Sequence, residues 1–323
     1  MAYTVKYIDN CAKNGVDIYS LCHKDLKMGD RVVLVCSEKY GSLYTGDHVV
    51  PVRSAEDIKK STAQIMLMTA DEDADIAAVK CSAAIHATEC QVYIRYNGIY
   101  TADPQVTSLS AHLDRIDYDE VIEMCNSGYI GVRLRAVEAA KKAGVILHML
   151  PFDDPDAKGT TIKEVMAFGS ATVKGIIKEP DICIVSLREI PDIPGISYRI
   201  FQAVSDADVN VDMISLPASD YGRQDISFTI HKEDKEKAYS ILKEKQEELG
   251  YSQVVIQDNV AKISVLGSGV KTSKGVAARV FGILYENNIN LRLISTSEIK
   301  INIFVDKADA DLAVHKIHEY FIK

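Results

Sequence analysis

The spacing of apolar residues changes character along the chain. In the front half, short β-branched runs bounded by polar residues predict buried strands at DRVVLVCSE (30–38), AQIMLMT (63–69), CQVYIRY (90–96) and GVILHML (144–150). Helical spacing predicts an Ala-rich helix over 75–88 and further helices over 117–127 and 135–143. Strands alternating with helices indicate an α/β layer. The polar, turn-rich run DDPDAKGTT (153–161) places a boundary near 160–175.

The back half repeats itself. Asp192–Ser215 and Thr272–Ser295 align without gaps at an offset of 80, pairing Gly195 with Gly275, Arg199 with Arg279, Phe201 with Phe281, Asn210 with Asn290 and Ser215 with Ser295. Each copy begins with a strand (181–190; 260–269), turns at the glycine, and continues with an amphipathic helix. Two more strands follow (VNVDMIS and DISFTIH; INLRLIS and KINIFVD), then a charged helix (234–249; 307–321). A final strand, YSQVVIQ (251–257), completes the first copy only. Split β-α-β order of this kind predicts an antiparallel sheet with both helices on one face.

Composition narrows the function classes. At 323 residues, 47% apolar and 26% charged, the chain has the make-up of a soluble protein of two or three domains. It shows no apolar run long enough to span a membrane and no signal-peptide pattern, so a cytoplasmic location is expected. A formal charge of −9 disfavours nucleic acid as a partner. Seven scattered cysteines without a C-x-x-C pair suggest reduced, buried thiols rather than disulfides or zinc.

One local feature calls for explanation. TADEDADIAAV (69–79) sets four carboxylates in five positions ahead of the predicted helix. Hard cations take several carboxylates, but acidic capping of the helix accounts for the run more simply, with Glu72 and Asp73 as good caps. His315 and His318, at i, i+3 on the last helix, lack a third ligand nearby and are expected at the surface rather than on a metal.

Several runs together resemble the aspartokinases, members of the amino-acid kinase family that phosphorylate the side-chain carboxylate of aspartate. NGIYTADP (97–104) resembles that family's nucleotide loop, usually DGVYTADPR, and RAVEAAKKAGVILHM (135–149) the helix and strand after it. GTTI (159–162) is similar to the link into the regulatory region. The C-terminal repeat resembles tandem ACT domains, most specifically at Val211–Ile214 and Ile294–Ile301. The resemblance implies an α/β fold: a partial amino-acid-kinase-like α/β sandwich (1–165), then two ferredoxin-like βαββαβ ACT domains (166–258 and 259–323). It does not reach residues 1–60.

The departures bear on activity. The family's first strand ends in a Lys-Phe-Gly-Gly-Ser/Thr loop that holds the ATP phosphates, and no such run is present here. Its second glycine loop, G-R-G-G-S-D-T-T-A, falls on 70–78, where only Asp75 and Ala78 are kept. Glycines at a helix N-terminus let phosphate oxygens approach the free N–H groups. Carboxylates there oppose them, by about 4 kcal/mol for unit charges roughly 4 Å apart at an effective dielectric of about 20. The family's Thr-Asp before the TADP loop is Ile94-Arg95, the arginine after it is Gln105, a lysine is replaced by Ile130, and Arg133-Leu134 stands for His-Pro. Phosphoryl transfer depends on such positioned donors.

The resemblance implies Asp75 as the residual catalytic residue and Tyr100, Asp103 and Pro104 as residual nucleotide contacts. Turn formation explains the same loop without a ligand. For an amino-acid effector, lysine or threonine in the family, it implies Asp192, Gly195, Ser197, Asp212, Asn290, Leu291 and Ser297. The family's Gln-Asn after the Val-Asp-Met-Ile strand is Leu216-Pro217, which favours a more apolar ligand. A sensor or regulatory chain with an inactive kinase half is therefore expected, with no cofactor. It would act as a homodimer through its ACT domains or with a complete aspartokinase. The enzyme alternative is an aspartate kinase using ATP and Mg, with 37–46 serving the phosphates.

Overall fold

The computed structural model of the chain describes residues 2–8, 18–44, 48–71, 73–154, 156–165, 173–217, 222–267, 269–297 and 299–322. It divides into two compact units, Met1–Ala171 and Thr172–Lys323.

Unit 1 runs β1 (Tyr3–Ile8), α1 (Ile18–Met28), β2 (Arg31–Ser37), β3 (Val49–Pro51), α2 (Ala55–Lys60), β4 (Ile65–Ala70), α3 (Ala74–Ile85) and β5 (Glu89–Ile94). There follow a hairpin of β6 (Ile99–Tyr100) and β7 (His112–Leu113), then β8 (Arg115–Ile116), α4 (Tyr118–Asn126), α5 (Leu134–Ala143), β9 (Leu147–Pro151) and β10 (Thr160–Ile162). The sheet order is β3-β4-β2-β1-β5-β9-β10-β8, and neighbours from β3 to β9 are parallel. The chain builds outward from β1 to β4, then crosses through α3 to β5 on the other side, so its order reverses between β1 and β5.

The central strand β1 is buried along nearly its whole length and carries a lysine. The Lys6 Nζ donates to Gln91 Oε1 at 2.5 Å and to the Tyr93 hydroxyl at 3.1 Å, and pairs with Asp25 Oδ2 of α1 at 2.9 Å. Burial alone would lower its pKa; Tyr93 and Asp25 outweigh that and hold the ammonium charged. The network continues through Gln91 to Glu89, which faces His148 of β9 at 3.3 Å. His148 also contacts the Lys158 carbonyl at 2.9 Å. The Glu89 hydrogen bond raises the His148 pKa.

Unit 2 runs β11 (Gly175–Pro191), α6 (Ile196–Asp206), β12 (Val211–Ser215), β13 (Arg223–His231), α7 (Lys235–Leu249), β14 (Gln253–Leu266), α8 (Gly269–Thr272), α9 (Val276–Glu286), β15 (Leu293–Thr296), β16 (Lys300–Asp306) and α10 (Ala310–Phe321). One six-stranded sheet, β12-β13-β11-β14-β16-β15, serves both repeats. Two long antiparallel strands make this possible. The later part of β11 pairs with the start of β14 (Ile184↔Gln257 to Arg188↔Gln253), while Gly175–Glu179 pair with Leu266–Lys262. The second copy thus takes its fourth strand from residues that precede the first copy. Register shifts between Glu179 and Ile184 mark the change-over.

The first copy's core joins Cys183, Val185 and Leu187 of β11 to Ile200 and Val204 of α6 and Leu242 of α7. A smaller cluster, Ile182, Ile184, Val260 and Phe304, draws in Met213 and Leu293 from the two edge strands. The repeats match in detail: Gly195 and Gly275 both head a helix at φ 86°, with open space where a Cβ would stand. Backbone conformation, not crowding, calls for glycine at both.

His318 is fully buried on α10, and that burial, followed by the charge of His315, lowers its pKa. The expectation of a surface residue is corrected: the i, i+3 pair straddles the edge of the helix's apolar stripe. Among the described residues no group of three His, Cys, Asp or Glu is placed to hold a metal, and no helix is long and apolar enough to cross a membrane.

Two outcomes follow from the packing. Ile176→Ala, at a site 1% exposed, will cost about 2–4 kcal/mol, and hydrogen exchange will show the loss in β16 rather than β13. Because the His148 pKa is raised in the folded state, its stabilisation is complete below about 6.5 and is lost as pH rises through the folded value. Denaturation of the full chain will show stability declining over that range, a decline absent in His148→Gln.

Candidate functional site

In parallel α/β sheets ligands sit beyond the carboxyl ends of the strands. At that edge, Ser37 at the end of β2 with Glu38 beyond it, and Ala70 at the end of β4 with Asp71 and Asp73 beyond it, line a cleft of about 870 Å³, closed by Ile76, Ala77 and Lys80 of α3, with Lys39 at its side. The Glu38 carboxyl hydrogen-bonds to Asp71, and that bond together with the Asp71 charge raises the Glu38 pKa. Neighbouring carboxylates disfavour a further anion. Asp73 occupies the N-cap position of α3, but its side chain makes no capping hydrogen bond. The capping expectation is corrected on this point: at φ −108°, ψ 45° the residue lacks the extended backbone of a regular cap. Glu72, and residues 45–46 of the 37–46 segment, lie outside the described residues.

Asp75 sits in the first turn of α3, 5% exposed, with its Oδ2 3.9 Å from Nε of Arg133, the N-cap of α5. Its Oδ1 meets no hydrogen-bond partner among the described residues, a condition that costs about 1–3 kcal/mol for a buried acceptor.

The TADP loop follows β5 at the same edge, and its polar groups are turned on its own backbone. Asp103 Oδ1 accepts from the Gln105 N–H at 2.8 Å, and its carbonyl accepts from Val106 and Thr107. Tyr100 stacks edge-on against His112, with centroids 5.5 Å apart. Pro104 is exposed. Gly98, at φ 80°, lies where a Cβ would meet Thr160, whose hydroxyl accepts from the Ile99 N–H at 2.8 Å.

In unit 2 the implied effector residues fall into separate places. Asp192, Gly195 and Ser197 form the turn from β11 into α6, held by the Asp192 N–H to the Gly222 carbonyl at 2.9 Å. Asn290 and Leu291 precede β15 and Ser297 follows it, its N–H bonded to the Lys300 carbonyl. Leu293 lies level with Glu179 through Phe304 and Lys262, whereas Asp192 follows the far end of that same β11 strand. At about 3.3 Å per residue the Asn290 and Asp192 groups stand roughly 30 Å apart. Asp212 is already engaged: Lys262 Nζ lies 2.9 Å from its Oδ2 and 2.6 Å from Glu179 Oε2. Burial lowers the Lys262 pKa, but both carboxylates outweigh it and keep the charge. Sequence reading named Glu38 only within 37–46 and Arg133 only as a departure from the family, and it missed Glu179 and Lys262. A lone Lys in an otherwise apolar strand was the available signal for the last.

Comparison with known proteins agrees with this division. The amino acid kinase family model matches residues 62–150, and the ACT domain model matches 183–246 and 263–321. Aspartate kinase of Pseudomonas fluorescens (strain SBW25) is 36% identical over 248 residues, 76% of this chain and 60% of that protein. The aspartokinase of Mycolicibacterium smegmatis is 34% identical over 252 residues, with the same coverage. The chain thus spans about three fifths of the length of these relatives. In fold, it is similar to Clostridium acetobutylicum aspartate kinase at TM-score 0.82 and 15% identity, covering 98% of this chain and 100% of that one. E. coli aspartokinase III in complex with aspartate and ADP matches at TM-score 0.66 and 19% identity, covering 83% and 62% respectively. With a kinase-type sheet, tandem ACT domains and relatives of this identity, the chain belongs to the aspartokinase family.

Proposed function

We propose that this chain is an amino-acid-responsive regulatory member of the aspartokinase family whose kinase half does not turn over ATP. The observation that carries the reading is the Glu38–Asp71 contact beside Asp73, at the position where the family's glycine loop receives phosphate. A triphosphate there would meet carboxylates already gathered at the helix N-terminus, and glycines no longer open that end to it. The TADP loop supports this, since its aspartate is committed to its own turn.

The regulatory half takes an amino acid of the lysine or threonine class, or a more apolar one given Leu216-Pro217. The candidate residues are Asp192, Gly195, Ser197, Asn290, Leu291 and Ser297. Their separation within one chain favours a site completed between two chains, either a homodimer or a pair with a complete aspartokinase. In this reading Asp212 serves the Lys262 ion cluster, and its part in ligand binding is indirect. A second reading, a working aspartate kinase using ATP and Mg, draws on the names of its relatives.

A coupled ADP-release assay with aspartate and MgATP separates the readings: the full chain will give no release above background, and turnover that depends on aspartate sinks the first. For the regulatory half, one of the twenty amino acids will raise the melting temperature. The gain will approach about 2.7 kcal/mol at a hundredfold excess over Kd, and Asp192→Ala and Asn290→Ala will each reduce it. A flat response across the panel would contradict an effector role.

A further inference from the structure

We propose that unit 1 binds a small aliphatic α-amino acid in the cavity beside Asp75, with the ligand's ammonium on Asp75 and its carboxylate on Arg133. The cavity, about 130 Å³, lies between the sheet and helices α3 and α5. Tyr7 of β1, Val92 and Ile94 of β5, and Leu147 and Met149 of β9 form its floor. It therefore stands where the strand order reverses between β1 and β5, the place at which open α/β sheets take their ligands.

Its chemistry is that of a zwitterion site with an apolar pocket attached. Asp75 is 5% exposed and its Oδ1 finds no donor among the described residues, so the cavity wall holds an unmet acceptor. Arg133 lies 3.9 Å from the other carboxylate oxygen and is half exposed. A guanidinium has five N–H donors, enough to face Asp75, keep other contacts and still receive a carboxylate. Arg133 is also the N-cap of α5, whose start has no side-chain cap and no acidic residue in the first turn, so the helix end adds to the attraction. Ile130, 93% exposed, forms the rim.

Size and polarity select the ligand. An apolar cavity of roughly 150 Å³ holds about six heavy atoms, the size of alanine, with valine slightly larger. Aspartate would bury a second carboxylate among Val92, Ile94, Leu147 and Met149 without a partner, and lysine is too long. The site involves none of the unit 2 effector residues.

The test uses the full chain labelled with methyl-¹³C methionine, with the Met149 signal assigned through Met149→Leu. Titration with L-alanine or L-valine will shift that signal saturably. Propionate and isobutylamine, each lacking one charge, will bind at least tenfold more weakly, and L-aspartate at least a hundredfold. Arg133→Gln, at a half-exposed position that folding tolerates, and Asp75→Asn will each weaken binding tenfold or more. A Met149 signal unmoved by every amino acid means that water alone serves Asp75 and overturns the proposal. So does a shift that Arg133→Gln leaves unchanged.

Discussion

Unit 2 depends on the pairing of β11 with β14. Each strand is long enough to enter both repeats: the first copy closes its sheet with the start of β14, whereas the second has no last strand of its own and borrows the start of β11. The bulges between Glu179 and Ile184 let one ribbon change register where the copies meet. At that point Lys262 bridges Glu179 of one copy's strand and Asp212 of the other's. Removing Lys262 takes the ammonium from the largely buried Glu179 carboxylate, which is costly, so the seam resists partial opening.

Unit 1 keeps the architecture of a ligand-binding α/β sheet while changing the charge of its working edge. Parallel strands around β1 fix where a ligand goes, and at that position Glu38, Asp71 and Asp73 collect. The scaffold is retained in Asp103 and Gly98, which shape the TADP turn. The same sheet also provides the Asp75 cavity, where the balance of one acid and one guanidinium differs from the acid-rich cleft.

Much of this was legible in the sequence, for identifiable reasons. The offset of 80 exposed the repeat, and the paired glycines proved to share φ 86°. The strands over 31–37, 65–70 and 89–94 and the helices after 74, 118 and 134 stand where apolar spacing puts them. The first strand was hidden because a strand buried on both faces has no alternation and Lys6 breaks its apolar run; its partners Asp25, Gln91 and Tyr93 are distant in sequence. The second copy's missing strand was hidden because residues 175–179 pair with 262–266, a contact no local pattern carries. His318 was misplaced because i, i+3 spacing alone does not tell an apolar face from its border. Asp73 stands at the start of its helix, yet only backbone geometry reveals that it does not cap it.

In the proposed reading, carboxylates exclude the triphosphate from the edge of unit 1. Calorimetric titration of MgATP into the unaltered chain at neutral pH and moderate salt tests it most directly. No saturable heat is expected up to millimolar nucleotide. A saturable isotherm with a micromolar dissociation constant would contradict it.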